Sequence, residues 1–360
     1  MQSELIAGAT TKPEYLPDQP ELDKRWSVSA IVICWHENPT IPYMYERATQ
    51  VFRKLGIDYE IIFVNNDNSP DDAQQLLLDL SAKDPHVVGV SLSRNWPPPS
   101  ATLNAMRLAT KRAVVTLDGD LQDPPEMIEQ FVELWKAGNE VVYGRRVNRV
   151  APWHIRIASK AYYKILHRLS DVDIPADAGE FALMDRKVVD WLLSCPERDL
   201  FPRGLRAFIG FRHAGVDYVR PERMFGTSSN NIARLLNTAK IGIFSYSKAP
   251  LTAVTYTGFW LLVVSLILSL REGIGRIIGH MQHRHGSPPG YTTLFILMLF
   301  FGSLNLFAIG IAAEYIGKIL EEVKRRPSCI RRGVIRNGTF EEQDYWSQTE
   351  DIVMRHGRDL

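Results

Sequence analysis

Asp118, Gly119 and Asp120 close a short apolar run, Ala113 to Leu117. On an extended strand, residues two apart share a side. The two carboxylates are therefore expected to point the same way. Carboxylates so close repel unless a cation lies between them, and hard oxygen donors favour Mg2+ or Mn2+. Such a metal could bridge a diphosphate and neutralise charge building on a leaving group. A plain acidic turn is the alternative reading of the same triplet. The run continues as DGDLQDPPE. Asp123, Pro124 and Glu126 have the spacing of an N-cap, a first-turn proline and an N3 glutamate. Asp123 is thus expected to cap a helix, and it also stands as a candidate catalytic carboxylate. Gln122 could bring its amide oxygen to the metal.

Cations gather further along. Arg145, Arg146 and Arg149 follow a fifth apolar run, and Arg156, Lys160, Lys164 and Arg168 recur every four residues in the stretch 155–169. Ile155, Tyr162, Ile165, Leu166 and Leu169 form the opposite, apolar face. A solvated helix face would look like this, and so would a helix lying on anionic lipid. A second amphipathic stretch runs from Asn231 to Phe244, with Ile232, Leu235, Leu236, Ala239 and Ile243 on one side.

The elements that must position these groups alternate. Short apolar runs at 28–34, 59–64, 87–92, 113–117 and 141–143 read as strands, with helical periodicity at about 43–55 and 72–82. This order predicts an α/β domain with a mostly parallel sheet and covering helices. Such sheets bind ligands at the carboxyl ends of their strands, where the polar clusters fall.

Two uncharged apolar runs lie near the C-terminus, residues 251–270 and 291–313. About 20 helical residues span the roughly 30 Å of bilayer hydrocarbon. Buried core helices normally show a polar stripe, and these do not. A two-helix transmembrane hairpin is expected. The loop between the runs carries Arg271, Arg276 and Arg284, whereas Lys318, Lys324, Arg325, Arg326, Arg331, Arg332 and Arg336 follow the second run. The heavier basic load predicts that the catalytic part and both termini face the cytoplasm. The first residues, polar and with Pro13, Pro17 and Pro20, predict a flexible lead-in without a signal sequence. The expected division is a lead-in at 1–26, a catalytic domain at 27–227 and a juxtamembrane amphipathic helix at 228–250. The membrane hairpin (251–313) and a cytoplasmic C-terminal helix and tail (314–360) complete it.

The 360-residue chain has a formal net charge of +1, so bulk charge offers no argument for nucleic acid, which is not an expected partner. Three separated cysteines exclude a disulfide framework and a cysteine zinc site. A P-loop hydrolase is excluded because the glycine-lysine loop is missing.

The ordered series ENPTI, NNDNSPDD, LSRN, LDGDLQDPPE, VVYGRR, DAGEFALMDRKVV, RGLRAFIGF, YVRPERMFGTSS and EYIGKILEEVKRRP runs from about Ser27 to Pro327. It resembles a family 2 glycosyltransferase of the GT-A (Rossmann-like) fold, of the dolichol-phosphate mannose synthase and bacterial polyprenyl-phosphate glycosyltransferase type. The resemblance implies a membrane-bound inverting enzyme of the cell envelope. It would move a hexose-type sugar from a nucleotide diphosphate, UDP-sugar in preference to GDP-mannose, to polyprenyl phosphate. Glu37 and Asp67 would hold the nucleoside. Asp118 and Asp120, the DXD pair, would hold metal and diphosphate with Gln122. Arg145, Arg156 and Ser159 would grip the acceptor phosphate, with Arg206 as a helper. Asp177 and Glu180 would lie near the reacting centre. A lipid phosphate has a second pKa of about 6 and is mostly a dianion, so a general base has little to do and a positioning role is favoured. The other partners expected are membrane lipid and, left open, further copies of the chain. Two departures stand out: Asn65-Asn66-Asp67 where the family shows adjacent aspartates, and Trp96-Pro97-Pro98-Pro99 in place of a glycine-containing loop. A processive polysaccharide synthase would need a Gln-x-x-Arg-Trp segment and more spans, and neither is found. A non-catalytic membrane scaffold would not need the paired carboxylates.

Overall fold

A computed structural model describes residues 23–35, 38–66, 73–147, 178–195, 197, 201–221, 251–261, 263, 264, 267, 270, 291–344, 347 and 348. Strand and helix alternate through the first half: β1 (Asp23–Cys34), α1 (Ile41–Leu55), β2 (Ile57–Asn65), α2 (Ala73–Lys83), β3 (Val87–Leu92), α3 (Pro98–Met106), β4 (Ala113–Asp118), α4 (Met127–Lys136) and β5 (Val141–Val147). Then come β6 (Ala178–Asp185), α5 (Arg186–Ser194), α6 (Pro202–Ile209) and β7 (His213–Val219). A long helix α7 (Tyr291–Lys324) precedes β8 (Arg331–Arg336) and β9 (Thr339–Glu342).

The strands form one sheet in the order β7-β5-β6-β4-β1-β2-β3-β8-β9. β1, β2, β3 and β4 are parallel, β6 runs against both β4 and β5, and β8 runs against β3. This is the α/β, mostly parallel sheet with covering helices that the alternation predicts. Strands covered on both faces should be apolar throughout, and every residue of β3 is buried. Alternation sends Ala30 and Val32 to one core and Ile31 to the other. On the first face, α1 lays down Ile41, Met44, Ala48, Val51 and Phe52, and α4 lays down Met127, Ile128, Phe131, Val132 and Trp135. Burying each such large side chain contributes about 1.5–3 kcal/mol. The second face is covered by α3, α5 and α6, through Ala101, Ala105, Val188, Val189 and Leu205 among others.

The chain goes from β1 to β2 and β3 on one side, then crosses to β4 on the other. That reversal opens a crevice beyond the carboxyl ends of β1 and β4, where open α/β sheets bind ligands. Its loops are stitched together: Gly119 donates to the Ile33 carbonyl at 2.9 Å, Asn66 to the Cys34 carbonyl at 2.9 Å, and Thr40 Oγ1 to the Gly119 carbonyl at 2.7 Å.

β1 begins at Asp23, inside the stretch expected to be a lead-in. At the other end, the expected helix and tail include two strands. α7 runs to Lys324, and six residues later β8 joins the sheet beside β3. Among the described residues one helix is long and apolar enough to cross a membrane, within α7 at Phe300–Lys324. Its apolar side chains face outward, Met298, Leu306 and Phe307 among them. Residues 251–261 are helical, with Tyr256, Phe259 and Trp260 exposed. The rest of the first expected span is only partly described, so the hairpin as a whole is not established. The two amphipathic stretches at 155–169 and 231–244 lie outside the described residues.

Candidate active site

Asp118 is the last residue of β4, paired in register with Ile33 of β1. Asp120 sits beyond the strand, in a turn whose Leu121 has φ +59°. Strand alternation therefore does not bring the two carboxylates together; the turn does. Asp120 is buried, and its Oδ1 accepts from the Gln122 backbone at 3.1 Å. Both carboxylates reach one guanidinium. Arg220 Nη2 lies 3.0 Å from Asp118 Oδ2 and 3.8 Å from Asp120 Oδ2, and its Nε lies 3.8 Å from Asp123 Oδ1.

Asp118 leaves 45% of its side chain open to the crevice, yet the carboxyl is ringed by protein and by like charge. Removal from bulk water, then Asp123, Asp120 and Glu180, push its pKa up to about 7 against the pull of Arg220. The cluster thus carries more negative charge than Arg220 alone offsets.

Asp123 does not cap α4. The N-cap of that helix is Glu126, without a side-chain cap bond, and Met127 and Ile128 donate to the Pro124 and Pro125 carbonyls at 3.1 and 3.0 Å. The reason is that the Asp123 carboxylate is taken by partners on β7 and β5, Tyr218 and Arg146. Glu126 instead forms a fork with Arg47, at 2.8 and 2.7 Å. Asp123 turns into the protein and accepts from Tyr218 Oη at 2.8 Å, with Arg146 Nη2 at 4.0 Å. Burial raises its pKa, opposed by Arg146, Arg220 and the Tyr218 hydroxyl. Arg146 Nε also donates to Tyr218 Oη at 3.2 Å. Gly144 lets this layer close, because a Cβ there would stand 2.8 Å from Tyr218 Cε1.

Across the crevice, Glu180 on β6 is fixed through its backbone: Thr116 Oγ1 donates to its carbonyl at 2.6 Å. Asp118, Glu180 and Arg206 help to line a solvent-open pocket whose walls include Leu103, Met106 and Leu205. Arg206 is buried; its Nη2 donates to the Gly179 carbonyl at 2.6 Å, and burial lowers its pKa to about 10 although Glu180 opposes this. Its bond holds the start of β6. Arg145 pairs with Asp217 and remains half-exposed. Gln122 turns its amide nitrogen to the Pro221 carbonyl at 2.9 Å. Glu37, Asp67, Arg156, Ser159 and Asp177 lie outside the described residues.

At the ends of β2 and β3, Asn66 holds the unusual Trp96 loop from both sides. Its Nδ2 donates to the Trp96 carbonyl at 2.8 Å, and Trp96 N donates to its Oδ1 at 2.9 Å. The Arg94 guanidinium lies 3.7 Å from the centre of the Trp96 ring. The contact of Arg220 with the carboxylates spans about a hundred residues and leaves no periodic trace in the sequence.

Among the described residues, no group of three or more His, Cys, Asp and Glu is placed to hold a metal ion. Asp118 and Asp120 nonetheless already share one cation, which suits a pair supplying two ligands while a bound anion supplies others.

The family model "Glycosyl transferase family 2" matches residues 29–193. An uncharacterised glycosyltransferase of Synechocystis sp. is 35% identical over 301 residues, 83% of this chain and 93% of that protein. An uncharacterised glycosyltransferase of Bacillus subtilis is 34% identical over 310 residues, 84% of this chain and 92% of that one. The SfII prophage-derived bactoprenol glucosyl transferase of Shigella flexneri is 34% identical over 305 residues, 84% of this chain and 96% of that one. With its GT-A sheet, its carboxylate pair at the switch point and relatives that match along most of their length, the chain belongs to glycosyltransferase family 2 and is a glycosyltransferase.

Proposed function

We propose that this enzyme transfers a glucose-type sugar from UDP to a polyprenyl phosphate at a membrane, with inversion at the anomeric carbon. The observation that carries the reading is the crevice between β1 and β4, where Asp118, Asp120 and Glu180 converge. It is supported by the family membership and by the name of the Shigella relative.

In this reading the acceptor phosphate oxygen attacks the anomeric carbon as the bond to the donor diphosphate breaks, a single displacement that inverts configuration. Asp118 and Asp120 would hold Mg2+ or Mn2+, with Gln122 free to join if its amide turns from Pro221. The ion's chemistry there is to offset charge on the departing diphosphate. Glu180, anchored through Thr116, faces the cavity and orients the reactants; the acceptor, already an anion, needs no proton removed. Asp123, held by Tyr218, supports the turn and is not a reacting group. Glu37 and Asp67 remain proposed nucleoside contacts. Arg145, Arg156, Ser159 and Arg206 remain proposed for the acceptor side, where cations offset the repulsion between two phosphates. α7 and the segment from residue 251 form the proposed membrane anchor.

The test is purified full-length enzyme in detergent, given UDP-glucose, other UDP-sugars or GDP-mannose with a short polyprenyl phosphate. UDP-glucose should yield a lipid-linked sugar whose anomeric configuration, read by NMR, is inverted. Asp120→Asn or EDTA should reduce turnover by at least 100-fold. Full activity in either case would remove the metal from the scheme, and transfer only to non-lipid acceptors would overturn the substrate assignment.

A further inference from the structure

Arg220 occupies the place at the carboxylate cluster where a cation is required. Its Nη2 touches Asp118 at 3.0 Å and approaches Asp120 at 3.8 Å, while Nε faces Asp123 at 3.8 Å. That Nε is buried without a hydrogen-bond acceptor among the described residues. A fork that bonds one carboxylate well and two others loosely is a compromise among three anions. Arg220 lies one residue beyond β7, whose Tyr218 is bonded to Asp123, and it precedes Pro221, whose carbonyl receives Gln122. The guanidinium is thereby delivered to the turn by its own backbone.

We propose that Arg220 is a built-in counter-cation of this site. Without donor it offsets part of the charge of Asp118 and Asp120; when a divalent cation arrives with a nucleoside diphosphate, the guanidinium leaves Asp118 and takes a diphosphate oxygen instead. The exchange conserves ion pairing: Asp118 passes from a guanidinium to a metal, and Arg220 passes from a carboxylate to a phosphate, for which its planar fork is equally suited. Binding of metal alone would strand the guanidinium beside a new positive charge. Metal and diphosphate should therefore bind together far better than either does alone. The inference rests on the metal-site reading above and adds to it a residue that competes with the metal.

The test measures Mn2+ binding to full-length protein in detergent by the EPR signal of free Mn2+, with and without UDP, and UDP affinity by calorimetry in saturating Mn2+. Wild type should bind Mn2+ weakly alone and strongly with UDP. Arg220→Gln should bind Mn2+ alone about 10- to 100-fold more tightly, as expected when one charge-assisted contact no longer competes. The same variant should bind UDP more weakly. Opposite signs are the signature, because a residue that merely supports the fold would weaken both. Arg220→Lys keeps the charge without the fork, so it should hold Mn2+ alone near the wild-type level and still lose UDP affinity; it also serves if the glutamine variant is poorly folded. Tighter Mn2+ alone with weaker UDP supports the proposal. Unchanged or weaker Mn2+ binding in Arg220→Gln, while wild type binds Mn2+ with UDP, overturns the counter-cation and leaves the metal site standing. Failure of wild type to bind Mn2+ even with UDP overturns both.

Discussion

Tyr218 donates its hydroxyl proton to a carboxylate that burial disfavours as an anion, while Arg146 donates back to the same hydroxyl. The ring itself packs edge-on to Phe181 at 5.9 Å. Tyr218→Phe keeps the ring and removes the bond, leaving Asp123 short of a partner in a dry setting; the cost should be about 1–3 kcal/mol, read from a denaturant midpoint. Gly144→Ala attacks the same contact from the other side, since its Cβ would meet Tyr218 at 2.8 Å and Phe181 at 3.2 Å. Overpacking of this kind costs about 1–3 kcal/mol. If Gly144 matters because it lets Tyr218 reach Asp123, the two losses will not add, and a double-mutant cycle should show coupling of at least about 0.5 kcal/mol. Strict additivity would mean that Gly144 serves packing only. At this scale the types of the acidic residues were legible, because Asp-Gly-Asp after an apolar run is a local pattern. Their partners were not: Tyr218 and Arg220 come from a strand end far along the chain, and it is Tyr218 that draws Asp123 away from the cap position expected for it.

Elements divide the same way. The strands β1 to β4 and the helices α1 and α2 announce themselves through apolar runs and periodicity, and their observed bounds lie within a few residues of those expected, except at the start of β1; α3, which opens on Pro98 and Pro99, was not expected. β6 was legible only as the motif DAGEF, with nothing to say that it inserts between β4 and β5. The C-terminal hairpin did carry a signal. Asn337 and Gly338 join β8 to β9 with φ +49° and +73°, and Asn-Gly between alternating residues is a strong hairpin cue. The charge count around α7 drew attention to the arginines of this stretch instead of to its pleat. The hairpin is fitted closely: Gly89 lets Ile335 approach β3, and Gly338 N donates to Ser81 Oγ of α2 at 3.0 Å. Removing it would expose the β3 edge and the side chains that Val334 and Ile335 cover. A chain ended at Pro327 should melt several degrees lower and elute partly aggregated on size exclusion; a melt matching the full chain would make the hairpin dispensable for stability.

For the whole molecule, β8 bears on topology independently of any charge rule. It belongs to the catalytic sheet and begins six residues after α7 ends. If α7 crosses a bilayer, its C-terminal end and the catalytic domain must share a side. A cysteine placed at exposed Asn337 should therefore react with an impermeant reagent added from the catalytic side, and one at His283 only from the other. Labelling of both from the catalytic side would break the proposed hairpin.

The same six residues set a reach. Fully extended, Arg325 to Ile330 span about 20–25 Å. The charged last turns of α7, residues 314–324, add about 16 Å of stiff helix beyond the uncharged run. If α7 is the proposed anchor, the catalytic body is leashed close above the lipid headgroups, and its search for the proposed lipid acceptor is lateral, in two dimensions, whereas a soluble donor arrives from the third. Under that arrangement, encounter with the lipid would be governed by its density in the plane of the membrane, so crowding of the bilayer, more than dilution of the surrounding solution, would set how often the second substrate is met.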